Sequence, residues 1–249
     1  MAKKAKTVTA KPVRAGKKSN AALLLESLKA HTRYRDDAGS PVPGVTTITN
    51  QLDKPALIYW AWNLGMQQID YRKARDQEAN VGTIMHIMAE CHFRGWEFDG
   101  YDEFPKVQTD RAKVAFQAFL DWDKTVGLQE TIVVNGKPAL EWEMVSKFYG
   151  YGGKLDRVFR RLSDGKIILQ DFKTSSGIFD EMIYQVSAYD RLWNEVNTAF
   201  PIDEVHLLRL GKDDGAFEDH IVPEDRIVNG FEIFLHLLEV YNLRRKYGK

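Results

Sequence analysis

Along residues 56–126 apolar side chains return every three to four positions, the spacing of helices with one inward face. The stretch 56–79 predicts a helix rich in aromatic residues, with Tyr59, Trp60, Trp62 and Tyr71. After Gly82, "TIMHIMAECHFRG" predicts a second helix, striped by Ile84, Ile87, Met88 and Cys91. Residues 107–126 predict a third, with Val114, Phe116, Phe119, Leu120 and Trp122 as its core candidates. Upstream, "AALLLESLKA" (21–30) predicts a short helix. Residues 31–55 predict a turn-rich, extended stretch with β-branched residues around Val45–Ile48.

Past residue 126 the pattern changes to short runs bounded by turn residues. "TIVVNGKPALEWEMVSK" carries an Asn-Gly signal between β-formers and predicts a hairpin. "GYGGKLDRVFRRL" and "KIILQDFKTS" predict two further strands joined by "SDG". "FDEMIYQVSAYDRLWNEV" returns to helical spacing, with Ile183, Val186, Leu192, Trp193 and Val196 inward. "EVHLLRLGK" and "AFEDHIVP" predict paired strands, and residues 223–247 a closing helix with the basic end "RRKYGK". This order predicts an α/β fold: a mixed β-sheet flanked by helices, with an N-terminal helical part. The expected organisation is a disordered basic tail over 1–20 and a single domain over 21–249. That domain is mainly helical over 21–126 and sheet-containing over 127–249.

Composition changes this picture little. A 249-residue chain that is 44% hydrophobic can build the core of one large domain. The zero formal charge hides an asymmetry. Residues 1–20 hold seven lysines and arginines and no acid, which leaves 28 against 35 acids in the rest. A basic tail on an acidic body suits a protein that meets nucleic acid, and it equally suits a solvated leader. The single cysteine, Cys91, excludes an intrachain disulfide and a four-cysteine cluster, and its apolar setting predicts a small core residue. No run approaches the roughly 18 apolar residues of a membrane span. The N-terminus lacks a signal core. A soluble, intracellular protein with no membrane partner is expected. There is no Walker loop, no Gly-x-Gly-x-x-Gly opening a helix and no His-Glu-x-x-His, while His206, His220 and His236 lack ligand spacing.

The candidate chemistry lies in "GGKLDRVFRRLSDGKIILQDFKTS", residues 152–175. Asp156 and Asp171 fall on neighbouring predicted strands, and Lys173 follows two residues after Asp171. An unpaired charge at the end of an apolar strand is costly. A hard divalent cation such as Mg2+ or Mn2+ would offset that cost, because it prefers carboxylate, carbonyl and water oxygens. Strand alternation points Asp171 and Lys173 to one side and Phe172 into the core. Asp-x-Lys alone is common on exposed strand faces, and structural ion pairs imitate sites. The neighbouring motifs therefore carry the argument.

Those motifs are "GGKLD", then "DFKTS", then "YQVSAYDRLW", preceded by "VPGVTTITNQLDKPALIYWAWNLG" and "VGTIMHIMAE". Together they resemble the RecB-like exonuclease branch of the PD-(D/E)xK nucleases, over roughly residues 40–212. The resemblance implies a restriction-endonuclease-like fold. It also implies a Mg2+- or Mn2+-dependent deoxyribonuclease acting on DNA ends in phage-type recombination, replication or repair. The alternatives are a catalytically inactive DNA-binding module of a recombination complex and a structure-specific endonuclease. It implies Asp156 and Asp171 as metal ligands, with His86 and the Phe172 carbonyl completing the set, and Lys173 as the catalytic lysine. Gln185, Tyr189, Thr174 and Ser175 would contact DNA. The remaining site acid is Glu141 or Glu143, with Glu141 preferred, and Glu90 shares the His86 face. The branch's iron–sulfur cysteines are absent. A small nuclease without a motor implies a single-strand annealing or single-strand-binding protein as partner, in bacterial or host cytoplasm. For the rings from Tyr59 to Trp62 the preferred reading is helical core; the other is stacking on unpaired bases.

Overall fold

A computed structural model describes residues 23–24 and 33–248. The tail expected over 1–20 and nearly all of the helix expected over 21–30 lie outside the described residues. Within that helix only Leu23 and Leu24 are placed, and both are helical. The elements run α1 (Val45–Thr49), α2 (Pro55–Met66), α3 (Tyr71–Arg94) and α4 (Lys106–Val126). Strands β1 (Gln129–Thr131), β2 (Val133–Val134), β3 (Lys137–Pro138), β4 (Leu140–Val145), β5 (Gly152–Arg161) and β6 (Ile167–Lys173) follow. The chain closes with α5 (Asp180–Val196), β7 (Glu204–Leu210), β8 (Phe217–Val222) and α6 (Glu224–Tyr247).

The main sheet has the order β1-β5-β6-β7-β8, and β4 also pairs with β5, beside β1. β6 and β7 are parallel; the other pairs are antiparallel. A parallel pair needs a long crossover, and α5 supplies it. The fold is thus the expected one, a mixed sheet flanked by helices and preceded by helices.

The central strand explains its own apolar run. β6 is covered on both sides, as near-continuous hydrophobic strands are. Ile168 and Phe172 pack with Phe159, Leu208, Met85, Phe119 and Trp122 against α3 and α4. Leu169 packs with Leu155, Leu207, Val186, Trp193 and Phe234 against α5 and α6. Each fully buried side chain of this kind contributes about 1.5–3 kcal/mol.

Local readings depart from the expectation in four places. Val45–Thr49 is a short helix, not an extended stretch, because burying Val45, Ile48 and Thr49 outweighs β-branched preference. The helices expected over 56–79 and after Gly82 divide elsewhere. α2 stops at Met66, the chain turns through Gln68 at φ 59, and Asp70 caps α3 by accepting the Arg72 N–H at 2.9 Å. Gly82 lies inside α3, where a Cβ would sit 3.1 Å from Thr174 Oγ1. On α4 the inward stripe is Ala112, Ala115, Ala118, Phe119 and Trp122, while Val114 is exposed. The aromatic helix is not core: α2 buries none of its residues, and Ile58, Tyr59, Trp62 and Met66 are 58–69% exposed. Cys91 is buried as expected. Among the described residues no helix is long and apolar enough to cross a membrane.

Candidate metal centre

Three adjacent strands bring one acid each to the same row of the sheet. The pairs Leu140↔Arg157 and Trp142↔Leu155 set Glu141 opposite Asp156. The pair Arg157↔Gln170 ends its ladder where Asp156 comes opposite Asp171. The backbone opens along this row. Glu141 has φ 47, a left-handed conformation that costs a non-glycine residue about 1–3 kcal/mol. Alternation on β5 breaks at Asp156. Leu155 and Val158, three apart, both face α5 and α6, while Arg157 stacks on Phe93 and Phe159. The Phe172 N–H donates to Asp156 Oδ2 at 2.6 Å, so a side chain satisfies the amide where the ladder stops.

Helix α3 adds His86. Its Nδ1 lies 3.5 Å from Asp156 Oδ1 and 3.6 Å from Glu141 Oε1. His86, Glu141 and Asp156 are the one group of at least three such side chains among the described residues able to share an ion, with ligand atoms within 4.8 Å of one another. Asp171 stands outside this tight group, buried beside it. The Lys173 ammonium lies against Asp171 Oδ2, yet no donor is aligned to hydrogen-bond that oxygen. Lys173 Nζ donates to Gln185 Oε1 at 3.2 Å, and Gln185 Nε2 donates to Tyr189 Oη at 2.9 Å. Lys154 Nζ sits 2.7 Å from Glu141 Oε2.

The acids perturb one another as a crowded cluster must. Burial opposes charge on His86, but the Asp156 and Glu141 carboxylates overcome it and push the imidazole up to about 10. Burial also opposes ionisation of Asp156; His86, Lys173 and the Phe172 amide reverse that and hold it below the usual carboxylate range. For Asp171 burial prevails over Lys173, and with the charge of Asp156 it raises the carboxyl to about 6. Burial, then Asp171, lifts the Tyr189 phenol well above its ordinary value. Tyr34, whose ring lies over Gly152, is raised to about 12 by burial, Glu143 and Glu141.

Glycines shape the site's approach. A Cβ at Gly153 would meet Tyr189 Cε1 at 2.7 Å, and one at Gly152 would meet the Tyr34 ring at 2.2 Å. Beyond Lys173, Thr174 and Ser175 line a cleft of about 900 Å3 with Trp60, Arg75, Arg209 and Lys212. Ser175 Oγ donates to the Gly177 carbonyl at 2.7 Å and so shapes the turn leaving β6.

The sequence-predicted residues therefore gather, with two adjustments. Glu141 joins His86 and Asp156 in the tight group, whereas Asp171 is held by Lys173 beside it. Of the two glutamates, Glu141 faces His86. Glu90 is engaged instead by Arg94, whose Nε and Nη2 donate to its Oε1 at 2.8 and 2.6 Å. Phe172 is tied to the group through its N–H, and its ring packs in the core. Sequence reasoning missed Lys154 and Tyr34. Lys154 stands inside "GGKLD" and was legible as a charge beside the motif; nothing in the turn-rich stretch marks Tyr34. The donor set of His86, Glu141 and Asp156 fits Mg2+ or Mn2+: carboxylate oxygens with one imidazole. No protein-family model matches the chain, and no curated protein sequence matches it.

Proposed function

We propose that this chain is a Mg2+- or Mn2+-dependent deoxyribonuclease of the PD-(D/E)xK, RecB-like kind, hydrolysing phosphodiester bonds from DNA ends. The observation that carries the reading is the convergence of His86, Glu141 and Asp156, with Asp171 and Lys173 beside them, where β5 and β6 part. A divalent cation bound there would polarise a phosphoryl oxygen and lower the pKa of a bound water.

The chain's own residues do the rest. Glu141, Asp156 and the His86 ring supply the ligand atoms. Lys173, fixed between Asp171 and Gln185, orients a water and stabilises charge growing on phosphate. The water gives a proton to solvent as its oxygen bonds to phosphorus, and the phosphorus–oxygen bond to the in-line sugar oxygen breaks, that oxygen taking a proton from solvent as it leaves. Gln185 and Tyr189 position the strand, and Thr174 and Ser175 lead it into the adjoining cleft. The exposed rings of Tyr59 and Trp62, stacked 6.0 Å apart, favour stacking on unpaired bases over a core role. A single-strand annealing or single-strand-binding protein is the partner proposed for the strand left behind.

End-labelled linear DNA with Mg2+ tests this. The wild-type protein should shorten it, and Asp171→Ala and Lys173→Ala should each lower the rate about 100-fold or more. Equal rates in all three proteins would remove the assignment. Covalently closed circular DNA should survive; its cleavage would point to an endonuclease. DNA retention without cleavage in either metal would favour a binding module.

A further inference from the structure

Each acid of the row already has one oxygen held by the protein. Glu141 Oε2 is 2.7 Å from Lys154 Nζ. Asp156 Oδ2 accepts the Phe172 N–H at 2.6 Å. Asp171 Oδ2 lies against the Lys173 ammonium. The other oxygens of Glu141 and Asp156 are the ones turned toward His86 Nδ1. Two of these three ties use the amide and lysine of the Asp-x-Lys strand. The third, Lys154, belongs to neither.

Strand register alone does not produce that third tie. The residue opposite Lys154 on β4 is Glu143, yet the amine reaches the diagonal acid, Glu141. It reaches it at a residue held in left-handed backbone, with both side chains largely covered, 20% and 14% exposed. An ordinary cross-strand ion pair requires neither the diagonal reach nor the strain. On the α3 side Arg94 occupies Glu90, whose charge also reaches Lys154.

We propose that Lys154 is a specificity-determining residue of this centre: by occupying Glu141 Oε2 it makes that glutamate a one-oxygen ligand and selects Mg2+ or Mn2+ against Ca2+. The proposal rests on the metal reading given above. Its physical basis is coordination. Mg2+ takes six oxygens in tight octahedral geometry and rarely needs a two-oxygen carboxylate. Ca2+ takes six to eight at longer range and gains from a bidentate one. Freeing Oε2 offers the larger ion that second contact.

The test is binding, with no DNA present. Kd for Mn2+ is read by electron paramagnetic resonance of free Mn2+, and Kd for Ca2+ by competition, in wild type, Lys154→Met, Lys154→Arg and Glu143→Gln. Removing a positive charge strengthens the attraction for both ions, so the ratio of the two constants isolates the freed oxygen. In wild type Ca2+ should bind at least about tenfold more weakly than Mn2+. Lys154→Met should narrow that gap about fivefold or more, while Lys154→Arg and Glu143→Gln should keep it. Lys154→Ala, read the same way, covers a methionine variant that fails to fold. A ratio within about twofold of wild type in the uncharged variant overturns the proposal, as does a wild type that binds no Mn2+. A wild type that binds Mn2+ selectively but cuts no DNA would sink the nuclease reading and leave this one standing.

Discussion

His86 carries the widest pH window of the site. Its folded-state value near 10 lies above the ordinary imidazole value of about 6.5. Its contribution to stability is therefore full below about pH 6.5 and lost as pH rises toward 10. Asp171 is also raised, to about 6, so its contribution is full below about pH 4 and lost as pH rises through 6. The metal-free protein should lose stability in these two steps, read as urea midpoints across the pH range. His86→Ala should erase the upper step and Asp171→Asn the lower. On the proposed metal reading His86 must give up its proton to ligate, so Mn2+ affinity should climb as pH rises toward 10. That Asp156, Asp171, Lys173 and His86 would lie near one another was legible only through the resemblance of their motifs to a known family. The choice between Glu141 and Glu143 was not legible. Regular alternation puts both on one face, and no glutamate announces a left-handed backbone.

At the level of elements, β5 does two jobs with three residues. Gly152 and Gly153 admit the rings of Tyr34 and Tyr189, and Asp156 follows at the break in alternation. Gly153→Ala should cost about 1–3 kcal/mol, measured by chemical denaturation, because its methyl meets a ring packed in the core. It should also push Tyr189 off Gln185 and weaken DNA cleavage more than stability alone explains. Strands and long helices were readable because their periods are strong: β5 to β8, α5 and α6 fall where the pattern put them. The helix α1 was not, since its β-branched run is helical only through contacts with α5 and α6. The division between α2 and α3 was not, since Gly82 reads as a breaker and serves instead to bring α3 close to Thr174.

For the molecule as a whole, the aromatic helix changes meaning once it is placed. Helical spacing alone assigned the rings to core, but spacing does not say which side of a helix faces inward. Here Leu57 and the half-buried Trp60 line the cleft that continues from the end of β6, and Tyr59 and Trp62 stand exposed on the same helix outside its lining. The cleft's charges are largely paired within the protein: Lys212 lies 2.6 Å from Glu78, and Arg209 is 3.1 Å from Glu218. Stacking should therefore outweigh phosphate attraction in holding a strand there. Tyr59→Ala with Trp62→Ala should weaken binding of a single-stranded oligonucleotide about tenfold or more, seen by fluorescence anisotropy without Mg2+. The melting temperature should barely move, because neither ring is buried. Unchanged affinity would exclude the helix from the path.

The left-handed backbone at Glu141 has a consequence for variation under selection. Asparagine occupies that conformation more easily than glutamate does. Its neutral amide would, however, withdraw the carboxylate that pairs Lys154 and His86. Relief of backbone strain and loss of those pairs therefore oppose each other, and Glu141→Asn should leave durability nearly unchanged while dismantling the cation's seat.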